Sequence, residues 1–343
     1  MSTARSAPNI ALIKYWGNRN DELRLPMADS LSMTLNSPTV EIAIEENDCF
    51  VLQAFEADGT GKMLTEKNLN RWKETLRLMR RALSLMGAEH VLPETLALTI
   101  RSHIPPAVGL ASSAAVFSCL AKAVAGLIAA DIPLSDKQIS ILARLGSGSA
   151  ARSIFGGFSA LLAKNKKLES GTDDDILSSY ALSIAPTDHW LLHDIVVIPS
   201  AEEKKVGSTE GHALAHTSPF YAERVESIRT RRQPECIDAI LKRDFEKLQR
   251  VSEEDALDMH HVMETSTPPL HYLSQETYRI IHEIKELRKK EHIPVLFTMD
   301  AGPTVHLLCP EEARSAVLAY AHAQKSCTVF ETKIGPGATL LQP

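Results

Sequence analysis

Several stretches of this sequence carry side chains of the type and spacing that handle anions and protons. Met299-Asp300-Ala301-Gly302-Pro303 sets a carboxylate between two apolar runs, with turn-forming residues after it. Such a carboxylate either points into a cleft or only shapes the turn. Residues 144–158, RLGSGSAARSIFGGF, place Arg152 a short step from Ser147, Gly148 and Ser149. Small residues allow an anion to lie against backbone, and a guanidinium fork matches a planar carboxylate. The plainer alternative is a helix closed by Gly146, a capping serine and a surface arginine. Residues 105–115, PPAVGLASSAA, run from prolines through small residues into an apolar helix opened by Ser112 and Ser113. A helix start offers free N–H donors and a positive dipole end to a phosphate, although serines also cap ordinary helices. Lys14 and Tyr15 close an apolar run and would point to opposite faces of its strand, where a lysine also suits a sheet edge. His260, His261 and Glu264 fall within one helical turn, but no further ligand at metal-site spacing accompanies them, which favours a structural or cleft histidine.

The background to these residues is ordinary. The chain has 343 residues, 44% of them hydrophobic and 23% charged, enough for two domains with separate cores. A net charge of −6 gives no footprint for nucleic acid, so anion binding must come from local cations. Five cysteines with no Cys-x-x-Cys spacing fit reduced thiols in a cytoplasm better than a disulfide framework. No run approaches the ~18 apolar residues of a membrane helix, and the opening residues lack the apolar stretch of a signal peptide.

Alternating or apolar runs predict strands over 9–13, 30–35, 39–44, 96–104, 156–163, 193–198, 295–299 and 304–309. Three-to-four spacing predicts helices over 66–87, 114–130, 218–264 and 274–292. Ser135 with Gln138 three positions on reads as a capping box opening a helix over 136–145. Residues 164–188 read as a long surface loop. The expected domains are 1–185 and 186–343.

Pro-x-x-x-Gly-Leu-Ala-Ser-Ser-Ala-Ala over 105–115 resembles the nucleotide loop of the GHMP kinase superfamily. APNIALIKYWG (7–17), LPMADSLSMTL (25–35), RLGSGSAARSIFGGF (144–158), KKVGSTEGHALAHTSP (204–219) and FTMDAGPTVHLL (297–308) resemble the mevalonate diphosphate decarboxylases, in order along nearly the whole chain. The resemblance implies an α+β GHMP kinase fold: a nucleotide-binding domain and a ferredoxin-like C-terminal domain, with the active site in the cleft between them. It implies an ATP- and Mg²⁺-dependent enzyme that phosphorylates the 3-hydroxyl of a 5-phosphorylated mevalonate, then loses phosphate and CO₂. Asp300, Lys14 and Arg152 are the implied catalytic set. Tyr15, Asn18, Ser147, Gly148, Ser149, Ser208, Thr209 and His212 would bind substrate. Pro105, Gly109, Leu110, Ala111, Ser112 and Ser113 would bind ATP, with Ser113 also facing its magnesium. A homodimer in the cytoplasm is the implied state.

The sequence departs from the family pattern at a few positions. Asn18 stands where the family has a lysine that helps hold a diphosphate, Gly207 replaces a serine, His212 a methionine and Ala151 a cysteine. Loss of one charge-assisted contact costs about 1.5–3 kcal/mol if nothing compensates. The reading that follows is a preference for mevalonate 5-phosphate, giving isopentenyl phosphate. The alternative is mevalonate 5-diphosphate, with Arg19, Arg71 or His212 restoring the charge. A mevalonate 3-kinase and a non-catalytic binding relative are the other readings.

Overall fold

The structure, a computed structural model, describes residues 1–104, 112–163, 175–199 and 207–342. Its first elements are β1 (Ser2–Ser6), β2 (Asn9–Ile13), β3 (Asn18–Asn20), β4 (Leu25–Pro26), β5 (Ser30–Thr34), β6 (Val40–Glu46) and β7 (Val51–Glu56). After these come α1 (Glu66–Leu85), β8 (Leu96–Ser102), α2 (Ser112–Leu127), α3 (Asp136–Gly146), a 3₁₀ segment (Gly148–Ile154), β9 (Phe158–Leu161) and β10 (Ala181–Ala185). The second half holds β11 (Leu192–Pro199), α4 (Ser208–Leu214), α5 (Tyr221–Ser227), α6 (Gln233–Lys242), α7 (Phe245–Glu264) and α8 (Gln275–Glu291). It finishes with β12 (Leu296–Thr298), β13 (Val305–Pro310), α9 (Glu311–His322), β14 (Cys327–Lys333) and β15 (Thr339–Leu340).

Three sheets carry these elements. The order β15-β1-β6-β8-β7 forms the first, antiparallel except for the β7–β8 pair, and α1 to α3 bury their apolar faces on it. The second, β10-β9-β5-β2, shares one hydrophobic core with α6, α7 and residues of β11 to β13. The third, β12-β13-β11-β14, is covered by α8 and α9. The second sheet is therefore the layer on which the two α/β domains meet, and the end of its edge strand β2 faces elements of the second half. Among the described residues no helix is long and apolar enough to cross a membrane.

Several elements follow from local chemistry. Ser135 accepts the Gln138 N–H, and the Gln138 side chain accepts the Ser135 N–H, the reciprocal cap its spacing implies. Strand β2 coincides with the predicted run, and α2 begins two residues before its predicted start, at the serines. Gly146 does not close α3 through a left-handed turn; the helix runs through it and Ser147 caps the end in extended conformation. A Cβ at Gly146 would sit 2.2 Å from the Phe117 ring, so the residue is small because α2 crosses there. The loop expected over 164–188 is corrected at its end, where β10 pairs with β9; residues 164–174 lie outside the described ones. The segment after β14 leaves the third sheet, and β15 pairs with β1 in the first.

Candidate active site

Strand β2 ends at Ile13, and the next side chain crosses to the other half of the chain. Lys14 Nζ lies 2.8 Å from Asp300 Oδ1, with the lysine side chain 1% exposed and the aspartate 33%. Asp300 follows β12 in a tight turn, where its carbonyl accepts the Gly302 N–H at 2.7 Å. Asp300 thus shapes its turn and also faces a buried lysine from the first half of the chain. Burial pushes the Asp300 carboxyl up, but Lys14, His306 and Arg152 outweigh it and hold it down at about 2.

Arg152 projects from the 3₁₀ segment into the second sheet and is not a surface arginine. Nη1 donates to Ser30 Oγ at 2.6 Å, Nε to Ser32 Oγ at 2.9 Å and Nη2 to Asn9 Oδ1 at 3.2 Å. The side chain is 2% exposed, and burial lowers its pKa to about 10, so it remains a cation near neutral pH. Its partners are neutral, and a guanidinium has five N–H donors, which leaves donors for an incoming carboxylate. The cradle was readable in part: Ser30 and Ser32 share one face of an otherwise apolar alternation. Asn9 joins them from β2 and also donates to Ser149 O at 3.0 Å, tying the cradle to the serine loop.

That loop gathers most of the expected substrate residues. Ser147 Oγ lies 3.2 Å from Ser149 Oγ and 3.1 Å from Ser113 Oγ at the start of α2. The Tyr15 ring packs so closely that a Cβ at Gly148 would sit 2.3 Å from it. Tyr15 Oη donates to Asn18 Oδ1, and burial pushes its phenol up to about 12, which keeps it a donor. His212 lies between the Tyr15 and Trp16 rings, 4.5 Å from each, and its Nδ1 accepts the Gly17 N–H at 2.9 Å. Gly17 has a φ of +89° and stands against Tyr221, so no side chain is accommodated there. Pro105, Gly109, Leu110 and Ala111 lie outside the described residues, as do the side chains of Ser208 and Thr209. Ser112 is exposed in the first turn of α2.

Cations accumulate around this loop, and the carboxylates nearest them, among them Asp21, which accepts from Asn18 Nδ2 at 2.8 Å, form no ion pair with them. Arg24 Nε donates to Leu145 O at 3.1 Å, and Arg71 Nη2 donates to Gly146 O at 3.0 Å while stacking on Phe117. Arg144 is fully buried, its three guanidinium nitrogens given to the carbonyls of Ser179, Leu23 and Ile176. Arg19 reaches Ser178 Oγ at 2.8 Å. Among the described residues none of these four, nor Arg152, has an ion-pair partner within 4.0 Å. The carbonyl end of α3 is the negative end of its dipole and accounts for two arginine heads there. Burial and the neighbouring Arg24 lower Arg71 to about 10, a repulsion that an anion would relieve.

Residues 6–172 match the family model described as Diphosphomevalonate decarboxylase-like N-terminal domain, and residues 194–334 match Mevalonate 5-diphosphate decarboxylase C-terminal domain. The diphosphomevalonate decarboxylase of Homo sapiens is 33% identical over 311 residues, covering 88% of this chain and 74% of that protein. The chain belongs to the mevalonate diphosphate decarboxylase family. The crystal structure of mevalonate diphosphate decarboxylase from Staphylococcus aureus is 32% identical, with a TM-score of 0.85 over 99% of this chain and 98% of that one. A second structure, of MDDEF in complex with MVAPP, AMPPCP and magnesium, is 31% identical, with a TM-score of 0.84 over 100% and 99% of the two chains.

Membership of the mevalonate diphosphate decarboxylase family corrects the substrate reading drawn from Asn18. The relatives are named for diphosphomevalonate, and MVAPP is the ligand in the MDDEF complex. A preference for the 5-monophosphate is therefore withdrawn. The physical reason lies in the arginines: the charge missing at Asn18 is available from neighbouring segments. His212 does not supply it, because its Nδ1 is an acceptor and burial, then Arg24, depress it to about 3. Arg71 borders the serine loop, whereas Arg19 is turned towards Ser178. Arg24, which sequence reasoning missed, was marked only by an arginine inside the apolar run Leu23-Arg24-Leu25.

The His260, His261 and Glu264 side chains diverge. His261 stacks on Phe220 at 4.4 Å, Glu264 accepts from Tyr278 Oη at 3.0 Å, and His260 is 2% exposed with both ring nitrogens unpartnered. Burial, then the Lys14 ammonium, depress His260 to about 4. His260 and His212 thus sit folded below the ordinary histidine value of about 6.5. The unfolded chain binds protons that the folded one refuses, so their contribution is present above about 6.5 and is lost as pH falls towards 4 and then 3. The melting temperature is expected to drop between pH 7.5 and 5, and His260→Gln should reduce that drop. An unchanged melting temperature across this range in the unaltered protein would contradict the assignment.

Proposed function

We propose that the protein is an ATP-dependent mevalonate 5-diphosphate decarboxylase forming isopentenyl diphosphate, with Asp300, Lys14 and Arg152 as its catalytic set. The observation that carries this reading is the Lys14–Asp300 pair beside a buried, carboxylate-free Arg152. Arg152 receives the substrate carboxylate with the donors that Ser30, Ser32 and Asn9 leave free. Asp300, ionised throughout the working range, accepts a hydrogen bond from the 3-hydroxyl and fixes its direction. Lys14 stands against the negative charge that grows on that oxygen. Tyr15, Asn18, Ser147, Gly148, Ser149 and His212 line the diphosphate end, where Arg24 and Arg71 balance its charge; Ser208 and Thr209, whose side chains lie outside the described residues, are assigned to it by resemblance alone.

The start of α2 fits a nucleotide phosphate and its magnesium, since Ser113 Oγ stands 3.1 Å from Ser147 Oγ in the substrate loop. Bound ATP with magnesium supplies the phosphoryl group that makes the 3-oxygen a leaving group. Ser112 and Ser113 would hold and orient it; Pro105, Gly109, Leu110 and Ala111, assigned to the same role by resemblance, lie outside the described residues. A domain boundary near 185 belongs to the same proposal and falls between the two matched ranges, 6–172 and 194–334. So do a ferredoxin-like second domain, a homodimer and a cytoplasmic location; none of the cysteines forms a disulfide.

The test is CO₂, ADP and product measurement on mevalonate 5-diphosphate and 5-phosphate, with Arg24→Met alongside. The diphosphate should be preferred, and Arg24→Met should lower its kcat/KM about tenfold or more, the value of one charged contact, while sparing the monophosphate. ADP without CO₂ would identify a kinase, and no ATP turnover a binding relative.

A further inference from the structure

We infer that Asp255 and Arg224 form a clamp across the two domains that sets the position of Lys14, making both of them positioning residues for the reaction. The inference rests on the role proposed above for Lys14. Strand pairing stops at Ile13, and the main-chain groups of the next residue are taken by side chains more than two hundred positions away. The Lys14 N–H donates to Asp255 Oδ2 at 2.7 Å, and the Lys14 carbonyl accepts from Arg224 Nη2 at 3.3 Å. Arg224 Nη2 also reaches Asp255 Oδ2 at 3.0 Å, closing a ring through the lysine peptide groups.

The rest of the network surrounds that ring without touching Lys14. Arg224 Nη1 donates to Asp258 Oδ2 at 2.8 Å and to the Asp255 carbonyl at 3.1 Å. Arg232 Nη1 lies 2.5 Å from Asp258 Oδ2 and 3.3 Å from Asp255 Oδ1. Asp255 is 0% and Arg224 2% exposed. Between α5 and α6 the helix widens into a π turn, Ile228–Arg232, which adds a residue to the turn and brings Arg232 round to face α7 with Arg224. Asp255, Asp258 and Glu254, the last 3.3 Å from Arg232 Nε, surround the two guanidinium groups, yet the shortest bond made by Asp255 goes to a neutral peptide N–H.

A buried ion network is weak evidence for stability, since apolar residues of similar volume often serve that purpose as well. Its use here is geometric. A lysine stem has several rotatable bonds, and a 1% exposed ammonium 2.8 Å from Asp300 requires the backbone beneath it to be fixed. Asp300 belongs to the second domain and Lys14 to the first, so a clamp between the domains fixes the separation of the pair.

The test compares Asp255→Asn, Arg224→Lys and Arg232→Gln, the last removing a network partner that does not touch Lys14. Steady-state rates with mevalonate 5-diphosphate and ATP, melting temperature, and amide exchange of the peptide containing Lys14 are measured for each. Asp255→Asn should lower kcat by about 100-fold, the usual cost of misplacing a reacting group by an ångström. KM for both substrates should stay within about threefold of the unaltered enzyme. Arg232→Gln should keep at least about one third of kcat at a similar loss of melting temperature. Exchange at Lys14 should rise about tenfold in Asp255→Asn and not in Arg232→Gln. Should Asp255→Asn fail to fold, Arg224→Lys gives the same comparison. Equal kcat losses in the clamp and Arg232 variants, or equal exchange, would overturn the clamp. Exchange needs no substrate, so an unaltered enzyme inactive on the diphosphate would count against the proposed function alone.

Discussion

Asp300→Asn is expected to lower ATP-dependent CO₂ release by roughly 10²–10⁴-fold, the range for a positioned acid–base or charge-stabilising group. The substitution keeps the shape and one acceptor oxygen but removes the charge facing Lys14 at 2.8 Å. It leaves a buried ammonium without its counter-charge and a 3-hydroxyl without a strong acceptor to direct it. ADP formation should fall with CO₂ release, because orientation of the hydroxyl precedes both losses. A carboxyl held at about 2 is a weak proton acceptor, so orientation and charge are the larger part of the role. The acid limb of kcat/KM in the unaltered enzyme should therefore not report Asp300. Parallel assays of labelled CO₂ and ADP decide the matter: release retained within tenfold would remove Asp300 from the catalytic set.

Arg152→Lys is the second large effect. Lysine keeps the charge but cannot bond Ser30, Ser32 and Asn9 together while offering a fork to a carboxylate. Each buried hydroxyl or amide oxygen left without a partner costs about 1–3 kcal/mol, so stability should fall as well. Misorientation of the substrate adds to this, and kcat/KM for the phosphorylated mevalonate should drop about 10²–10³-fold. KM for ATP should change little, because Arg152 is bonded to Ser30, Ser32 and Asn9, whereas Ser113 at the start of α2 meets Ser147. Initial rates at saturating ATP measure the first effect and thermal melting the second. A lysine variant within tenfold of the unaltered enzyme would show that the cradle serves folding alone.

The sequence was most legible where a local pattern decides the outcome. Strand β2, the α3 cap at Ser135 and the amphipathic α1 all follow from spacing within a few residues. Strand β1, STARS, has one apolar residue among polar ones and forms because β6 and β15 flank it. Strand β10 was absorbed into a polar loop because its outward Leu182 is 38% exposed and breaks the alternation. Within the site, motif resemblance located Lys14, Arg152 and Asp300. The cradle residue Asn9 and the Asp255–Arg224 clamp act over 143 and 241 positions and leave no local mark. Asn18 misled for a related reason: a missing charge at one position is informative only if no other segment can provide it, and Arg24 and Arg71 both stand close by.

The returning segment after β14 has a consequence for the order in which this protein comes into being. Gly335 N–H bonds Thr34 O at 2.8 Å, Ala338 N–H bonds Ser153 O at 2.9 Å beside Arg152, and Leu341 N–H bonds Thr3 O at 2.8 Å. A chain emerging from the ribosome therefore carries the first domain with one sheet edge open and the arginine segment unbraced until residues 335–341 have followed. The β1 edge and the main chain beside Arg152 are thus completed by residues far downstream, and until those arrive that edge is open to strand pairing with another chain.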